Sequence, residues 1–245
     1  MEIDHPLQKG IILKLIHTPS ATFTDLLGEE KDSNKFSYHL TKLESEGIIK
    51  KVNSRYSLSD EGKKLSAFIE GDTGSKALFP TFNHVLIVQD GNKILAQRRL
   101  KEPFYGYWGL ISGKINFGFN VEECAIRDIE EEAGLKAAKS ELIGINQAKT
   151  YEGDKLLHHH IMFYVRLSGI SGALKAKTHK AENEWMTIKE FKEKERFPDP
   201  WFDAVLNAKG FVSIETERIM KDGKFVDCRM GTMKTIGPIC FPDGP

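Results

Sequence analysis

Cysteine is scarce in this chain of 245 residues. Cys124, Cys228 and Cys240 are odd in number and far apart, which excludes a disulfide framework and a cysteine zinc knuckle. A reducing, cytoplasmic setting is expected. An excess of charge of either sign is also missing. Lys and Arg together number 35, as do Asp and Glu, so no global field draws the chain to nucleic acid or to an anionic membrane. Any such binding has to come from a local patch. No apolar run approaches membrane-spanning length, and "MEIDHPLQKGIILKLIH" lacks the long apolar core and cleavage site of a signal peptide. Internal repeats and low-complexity tracts are absent too. What is present, 40% hydrophobic and 29% charged residues, suits an ordinary globular protein, and the length suits two domains.

The first 75 residues read as helices with one hairpin. "LQKGIILKLIH" carries Leu7, Ile11, Ile12 and Leu15 at helical spacing, and "ATFTDLLG" is a short helix with Thr22 or Thr24 near its start. "DSNKFSYHLTKLESEGI" puts Phe36, Leu40 and Leu43 on one face, with Asp32 or Ser33 as cap and Gly47 as stop. "IIKKVNSRYSLSD" alternates around Asn53-Ser54 as a hairpin does, and a last helix starts from Ser59 or Asp60. This order resembles the winged helix-turn-helix domains of transcription regulators. The resemblance implies contact with double-stranded DNA by Lys35, Ser37, Tyr38, His39 and Lys42 on the third helix and Lys50, Lys51, Asn53 and Arg55 on the wing. Residues 35–64 hold seven Lys/Arg against four Asp/Glu, a local +3, whereas residues 1–75 hold ten against twelve, a net of −2. A protein-contact module is the competing reading. A homodimer is expected if the DNA is palindromic.

"EGDTGSKALFP" reads as a linker, and a second domain spans residues 76–210. "NHVLIVQDGNKILAQRR" predicts two strands around Asp90-Gly91-Asn92. Further strands are expected in "ELIGINQAKTYEG" and "HHHIMFYVRLSG", and a helix around "PDPWFDAVLNAKG". Residues 211–245 are expected as an extension. It holds a hairpin turning at Lys221-Asp222-Gly223-Lys224 and then a turn-rich tail.

Between these strands lies "GKINFGFNVEECAIRDIEEEAGL". Asp128, Glu131 and Glu132 stand at i, i+3 and i+4, so a helix from an Asn120 cap would gather three carboxylates on one face, where they repel unless a cation neutralises them. Hard divalent ions take such oxygen ligands and bridge them to phosphates. Arg127 can pair with Glu123 one turn earlier or hold a carboxylate in place. His158, His159 and His160 look like a metal cluster, but in a strand only His158 and His160 share a face.

The segment resembles the Nudix box, a glycine, a glutamate, then Arg-Glu-aliphatic-x-Glu-Glu-x-Gly-aliphatic. Gly113, Arg127, Ile129, Glu131, Glu132, Gly134 and Leu135 match it without gaps; Phe119 and Asp128 depart from two glutamates, and Ser112 from a glycine. "LAQRR", "WGLISGK" and "ENEWMTIKEF" resemble the flanks. The resemblance implies an α+β chain: a winged helix-turn-helix followed by a Nudix α/β/α sandwich with a mixed sheet. It further implies Mg²⁺- or Mn²⁺-dependent hydrolysis of the diphosphate of a nucleotide-type small molecule. Glu131, Glu132, Asp128, the Gly113 carbonyl and Glu182 are the metal ligands expected by position. Arg127, Asp128, Glu131 and Glu132 carry the catalysis, and Arg98, Arg99 and Trp108 meet the substrate. The alternative is a transcription regulator whose Nudix domain senses a nucleotide-type metabolite with little turnover.

Overall fold

The computed structural model describes residues 3, 5–71, 73 and 76–237. The tail from residue 238 onward, Cys240 within it, and residues 72, 74 and 75 of the expected linker lie outside the described residues. The chain divides into two compact units, Met1–Phe79 and Pro80–Pro245.

The first unit runs α1 (Pro6–His17), β1 (Ala21–Thr22), α2 (Phe23–Leu27), α3 (Ser33–Ser45), β2 (Ile49–Val52), β3 (Arg55–Leu58) and α4 (Asp60–Ser66). Local signals set its boundaries. Asp32 accepts from the Lys35 amide at 2.9 Å to start α3, and Ser59 from the Gly62 amide at 3.0 Å to start α4. Asn53 and Ser54, at φ 48° and 62°, make the turn between β2 and β3. The three strands pair in the order β1-β3-β2. Ile11, Ile12, Leu26, Leu43 and Ile49 are all but inaccessible at its core.

The second unit opens with β4 (Thr81–Asp90), β5 (Lys93–Arg99), β6 (Trp108–Gly109) and β7 (Ser112–Lys114), then α5 (Val121–Ala133). It continues with β8 (Leu135–Lys136), β9 (Lys139–Glu152), β10 (Lys155–Ser168), β11 (Ser171–Gly172) and β12 (Ala181–Thr187). Helices α6 (Ile188–Glu193) and α7 (Phe202–Leu206) and the hairpin β13 (Phe211–Lys221) and β14 (Lys224–Ile236) complete it. One mixed sheet runs β12-β5-β4-β10-β9-β13-β14; β10 is parallel to β4, and β13 to β9. Period-2 alternation gives it two apolar faces. Along β4, Leu86 and Val88 pack with Ala125 and Ile129 of α5, while Val85 and Ile87 pack with Phe191, Trp201 and Phe202 on the other side. Helices thus cover both faces of the sheet.

Two expectations change here. The hairpin is no appendage: β13 lies parallel to β9 over Val212–Met220 and continues the sheet. Thr216 donates to Asn146 at 3.1 Å across that seam, and Val212 and Ile214 are buried in the core. Nor does the tail begin as turns, since Gly231–Ile236 belong to β14. Asp222 and Gly223, at φ 51° and 76°, form its tight turn.

Candidate functional site

The acidic helix is built as its sequence dictates at both ends. Glu123 reaches back to accept from the Asn120 amide at 2.8 Å, and Gly134 at φ 70° closes the helix. Capping takes Glu123 away from Arg127, which instead holds Asp128: Nη2 stands 2.7 Å and Nε 2.9 Å from Oδ1. Arg127 also lies 3.9 Å from Glu131 and over the ring of Phe119, whose centroid is 5.6 Å away. At the first glutamate position of the box, the aromatic therefore backs the arginine.

The three carboxylates differ in setting. Asp128 is buried, and its Oδ2 is 3.0 Å from Nε2 of the fully buried His84. Neither ring nitrogen of His84 makes an aligned hydrogen bond; burial, the largest influence, lowers its pKa against the pull of Asp128. Gly113 packs against this pair so closely that a Cβ there would fall 2.1 Å from Asp128 Oδ2 and 2.6 Å from His84 Cε1. Glu132 is largely covered. It accepts from Gln97 at 3.0 Å and faces Lys180 at 3.3 Å. Glu131 is exposed.

Elsewhere the predicted residues are engaged differently from their expected roles. Arg99 hydrogen-bonds the carbonyls of Lys101, Glu102 and Pro103, at 3.0, 3.3 and 2.6 Å, and Arg98 that of Gly106 at 3.2 Å. The two arginines clasp a loop, and that loop presents Phe104. Glu182 is paired with Lys177 at 2.8 Å and Arg98 at 3.5 Å; the Lys177 hydrogen bond chiefly lowers its pKa. Trp108 packs against the core under Lys194, 5.1 Å from its ring centroid, and does not line the cleft described next. In the first unit, Lys35, Ser37, Tyr38, Lys42, Lys50, Lys51, Asn53 and Arg55 are exposed. His39 corrects its expected role: it is buried and stacks on His5 at 3.7 Å, so it cannot reach a groove. Arg55 is exposed yet tied to Ser20 by bonds of 2.9 and 2.8 Å.

Beside the acidic helix opens a cleft of about 290 Å³. Gln97, which holds Glu132, lines it, as do Arg99, Ser112 and Lys114. Its apolar walls include Phe104, Phe197 and Trp201, and its polar floor His160, Asp199 and Arg218. His158 and His160 do share a face, with stacked rings 5.8 Å apart. His160 bonds Thr81 at 2.6 Å, and burial foremost, then Arg218, pulls its pKa down to about 4. Sequence reasoning missed His84, Gln97, Asp199 and Arg218. Two signals were available. His84 directly precedes the apolar run Val85–Val88 and is in phase with Leu86 and Val88, and Arg218 falls in phase with buried Val212, Ile214, Thr216 and Met220.

Among the described residues, no three His, Cys, Asp or Glu side chains converge to form a closed metal cage. Mg²⁺ does not require one. It keeps several waters and binds through one or two carboxylates plus substrate phosphates. The hard oxygens of Glu131, exposed, and Glu132, largely covered, stand side by side on α5 and fit that role, and Asp128 abuts the Gly113 backbone behind them. Lys180 and Gln97 occupy Glu132 meanwhile.

No helix among the described residues is long and apolar enough to cross a membrane. Comparison with known proteins agrees with the box. An ADP-ribose pyrophosphatase of Methanocaldococcus jannaschii is 33% identical over 103 residues, 42% of this chain and 59% of that protein. A putative 8-oxo-dGTP diphosphatase of Bacillus subtilis is 33% identical over 73 residues, 30% of this chain and 47% of that protein. The chain thus spans about half the length of these relatives. The crystal structure of a MutT protein from Bacillus halodurans has the same fold, with a TM-score of 0.53 and 22% identity over 61% of this chain and 97% of that one. The model of the NUDIX domain matches residues 78–205, more than half of the sequence, and the chain belongs to that family.

Proposed function

We propose that this protein hydrolyses the diphosphate of a nucleotide-type small molecule with the help of Mg²⁺ or Mn²⁺. The observation that carries the reading is the junction of cleft and acidic helix. Gln97 lines the cleft and donates to Glu132, and Ser112 and Lys114 of the cleft flank Gly113. A ligand whose apolar end lies among Phe104, Phe197 and Trp201 therefore has its polar end beside Glu131 and Glu132. The relatives named for ADP-ribose and 8-oxo-dGTP hydrolysis support the same substrate class.

Hydrolysis adds water to one phosphorus and releases the other phosphate with the bridging oxygen. A divalent ion held by Glu131 and Glu132 would neutralise charge on the phosphates and make that water more acidic. The chain itself supplies the orientation. Arg127 fixes Asp128, and the same guanidinium bridges toward Glu131. Lys101, with Arg99, Lys180 and Lys114 near enough to act on it, forms a basic rim that Glu132 joins; burial first, then Arg99, lowers the pKa of Lys101. Such a rim attracts an anionic diphosphate and offsets its charge.

The test is product release from ADP-ribose, nucleoside triphosphates, dinucleotides and nucleotide sugars with Mg²⁺ and then Mn²⁺. Turnover is expected, and the Glu131→Gln/Glu132→Gln variant should abolish it. Full activity in that variant would refute the assignment. A sensor is the second reading, favoured by the engagement of Asp128 between Arg127 and His84 and by Phe119 in place of a carboxylate. It predicts thermal stabilisation by one of these compounds with no product.

For the N-terminal unit we propose a winged-helix contact with double-stranded DNA, as a homodimer where the target is palindromic. Exposed Lys35, Tyr38 and Lys42 on α3 and Lys50 and Lys51 on β2 support it. Fluorescence anisotropy with a mixed-sequence duplex should show salt-dependent binding that Lys50→Glu/Lys51→Glu weakens. Salt-independent or unaltered binding would exclude this surface.

A further inference from the structure

Arg218 lies beyond the matched family domain, on β13, yet it lines the cleft. Little of it is exposed, 8% of the residue. Its Nη2 donates to Asp199 Oδ1 at 3.0 Å, and the guanidinium also meets the Cys228 thiol. Nε is buried with no partner, and Cys228, opposite on β14, is only a weak acceptor. The guanidinium carbon lies over two rings, 5.9 Å from the centroid of Phe197 and 5.7 Å from that of Trp201. The same hairpin backs the facing wall, since Phe225 of β14 lies 5.1 Å from Phe104.

A planar fork with spare donors, fixed between aromatic rings at the floor of a cleft, has a definite chemistry. Its charge is already balanced by Asp199, so it needs an acceptor rather than a second anion. The rings around it favour a flat partner. The remaining charged lining, Arg99 and Lys114, also donates and does not accept. Acceptors are present too, among them Asn83, Gln97 and the second oxygen of Asp199, so the selection is local, set where the spare donors of Arg218 meet the rings. That suits a heterocycle whose edge carries a carbonyl, and disfavours one whose edge carries an amino group.

Resting on the nucleotide reading above, we infer that the β13–β14 hairpin supplies a base-selecting subsite in which Arg218, positioned by Asp199, takes the carbonyl of an oxo-substituted nucleobase lying among Phe104, Phe197 and Trp201. Arg218 is a specificity residue here; it has no part in bond cleavage.

IMP and AMP make the test sharp, because they differ only along one edge, 6-oxo with N1–H against 6-amino with a bare N1, and carry no diphosphate to hydrolyse. Calorimetric titration of the full chain with each, and with ribose 5-phosphate as a baseless control, reads the subsite directly. IMP should bind about tenfold or more tightly than AMP, in line with the cost of leaving a buried donor unpaired. The double variant Arg218→Met/Asp199→Leu removes both charges together, avoiding a stranded carboxylate, and should lose the preference while still binding ribose 5-phosphate. Arg218→Lys, which keeps the charge without the fork, should lose most of it. Equal binding of IMP and AMP, tighter binding of AMP, or a preference that survives the double variant would overturn the subsite and leave the nucleotide reading standing. Binding of none of the three compounds would overturn the nucleotide reading itself, and the subsite with it.

Discussion

The acidic helix and the cleft floor meet at Gln97, but they are made in opposite ways. On α5 Glu131 is exposed and Glu132 is met by the terminal groups of Lys180 and Gln97, while Asp128 alone of the three is buried, between Arg127 and His84. The floor is a buried polar lattice. Asp199 pairs with Arg218, Trp201 donates to Tyr164, and Asn146 links Tyr164 to Thr216. Burial pushes the Tyr164 hydroxyl above its usual range and raises Asp199 against the pull of Arg218. Exposed carboxylates add little to stability and can change partner when a ligand arrives. Buried pairs cannot, because each member left alone is an uncompensated charge. One wall can exchange partners; the other is fixed by its burial.

Breaking that contrast starts with the largest effect. Arg218→Met alone should destabilise by about 3–5 kcal/mol in urea denaturation, because it strands the Asp199 carboxylate, while the double variant with Asp199→Leu should lie near wild type. Equal losses in both would mean the floor is not governed by that pair. His160 offers the pH counterpart. Its folded pKa of about 4 lies below its ordinary value of 6.5, so the unfolded chain binds the proton first. Its contribution is complete above pH 6.5 and is lost as pH falls toward 4, up to roughly 3 kcal/mol in all. Melting temperatures from pH 7 to 4.5 should fall less steeply in His160→Gln than in wild type.

On the acidic side, effects on stability should be smaller. Gly113→Ala is the exception, because its Cβ would meet Asp128 and His84; overpacking of that kind costs about 2 kcal/mol and should abolish turnover as well. Glu123→Ala removes the reciprocal half of the cap, with an expected loss of about 1 kcal/mol and turnover within a few-fold of wild type. A large drop in turnover for Glu123→Ala would show that the helix start is coupled to the chemistry after all.

Much of the fold was legible because period and punctuation carry it. Asn53-Ser54, Gly91-Asn92 and Asp222-Gly223 are turns written in residues that tolerate positive φ, or sit in tight two-residue links, and the alternation along β4 separates the two faces of the sheet. The acidic helix was legible because its spacing is local. What escaped depends on contacts distant in sequence. Nothing near Arg98 and Arg99 says that they clasp the loop bearing Phe104, which itself sits at φ 71°. Nothing near Phe211 says that β13 will lie parallel to β9, about sixty residues earlier in the chain. His39 misled for a related reason: helical spacing alone put it on the outer face, and packing against His5 drew it in.

The placement of β13 also imposes an order in time. The acidic helix, the loop of Phe104 and the strands of the family domain all emerge from the ribosome before Arg218 does. Until β13 docks, β9 is an open strand edge, a template for pairing with another chain. Docking of β13 and β14 covers that edge of β9, moves the sheet's edge out to β14, and in the same step brings Arg218 to the cleft. A nascent chain halted at the end of the family domain would carry the Nudix box without Arg218.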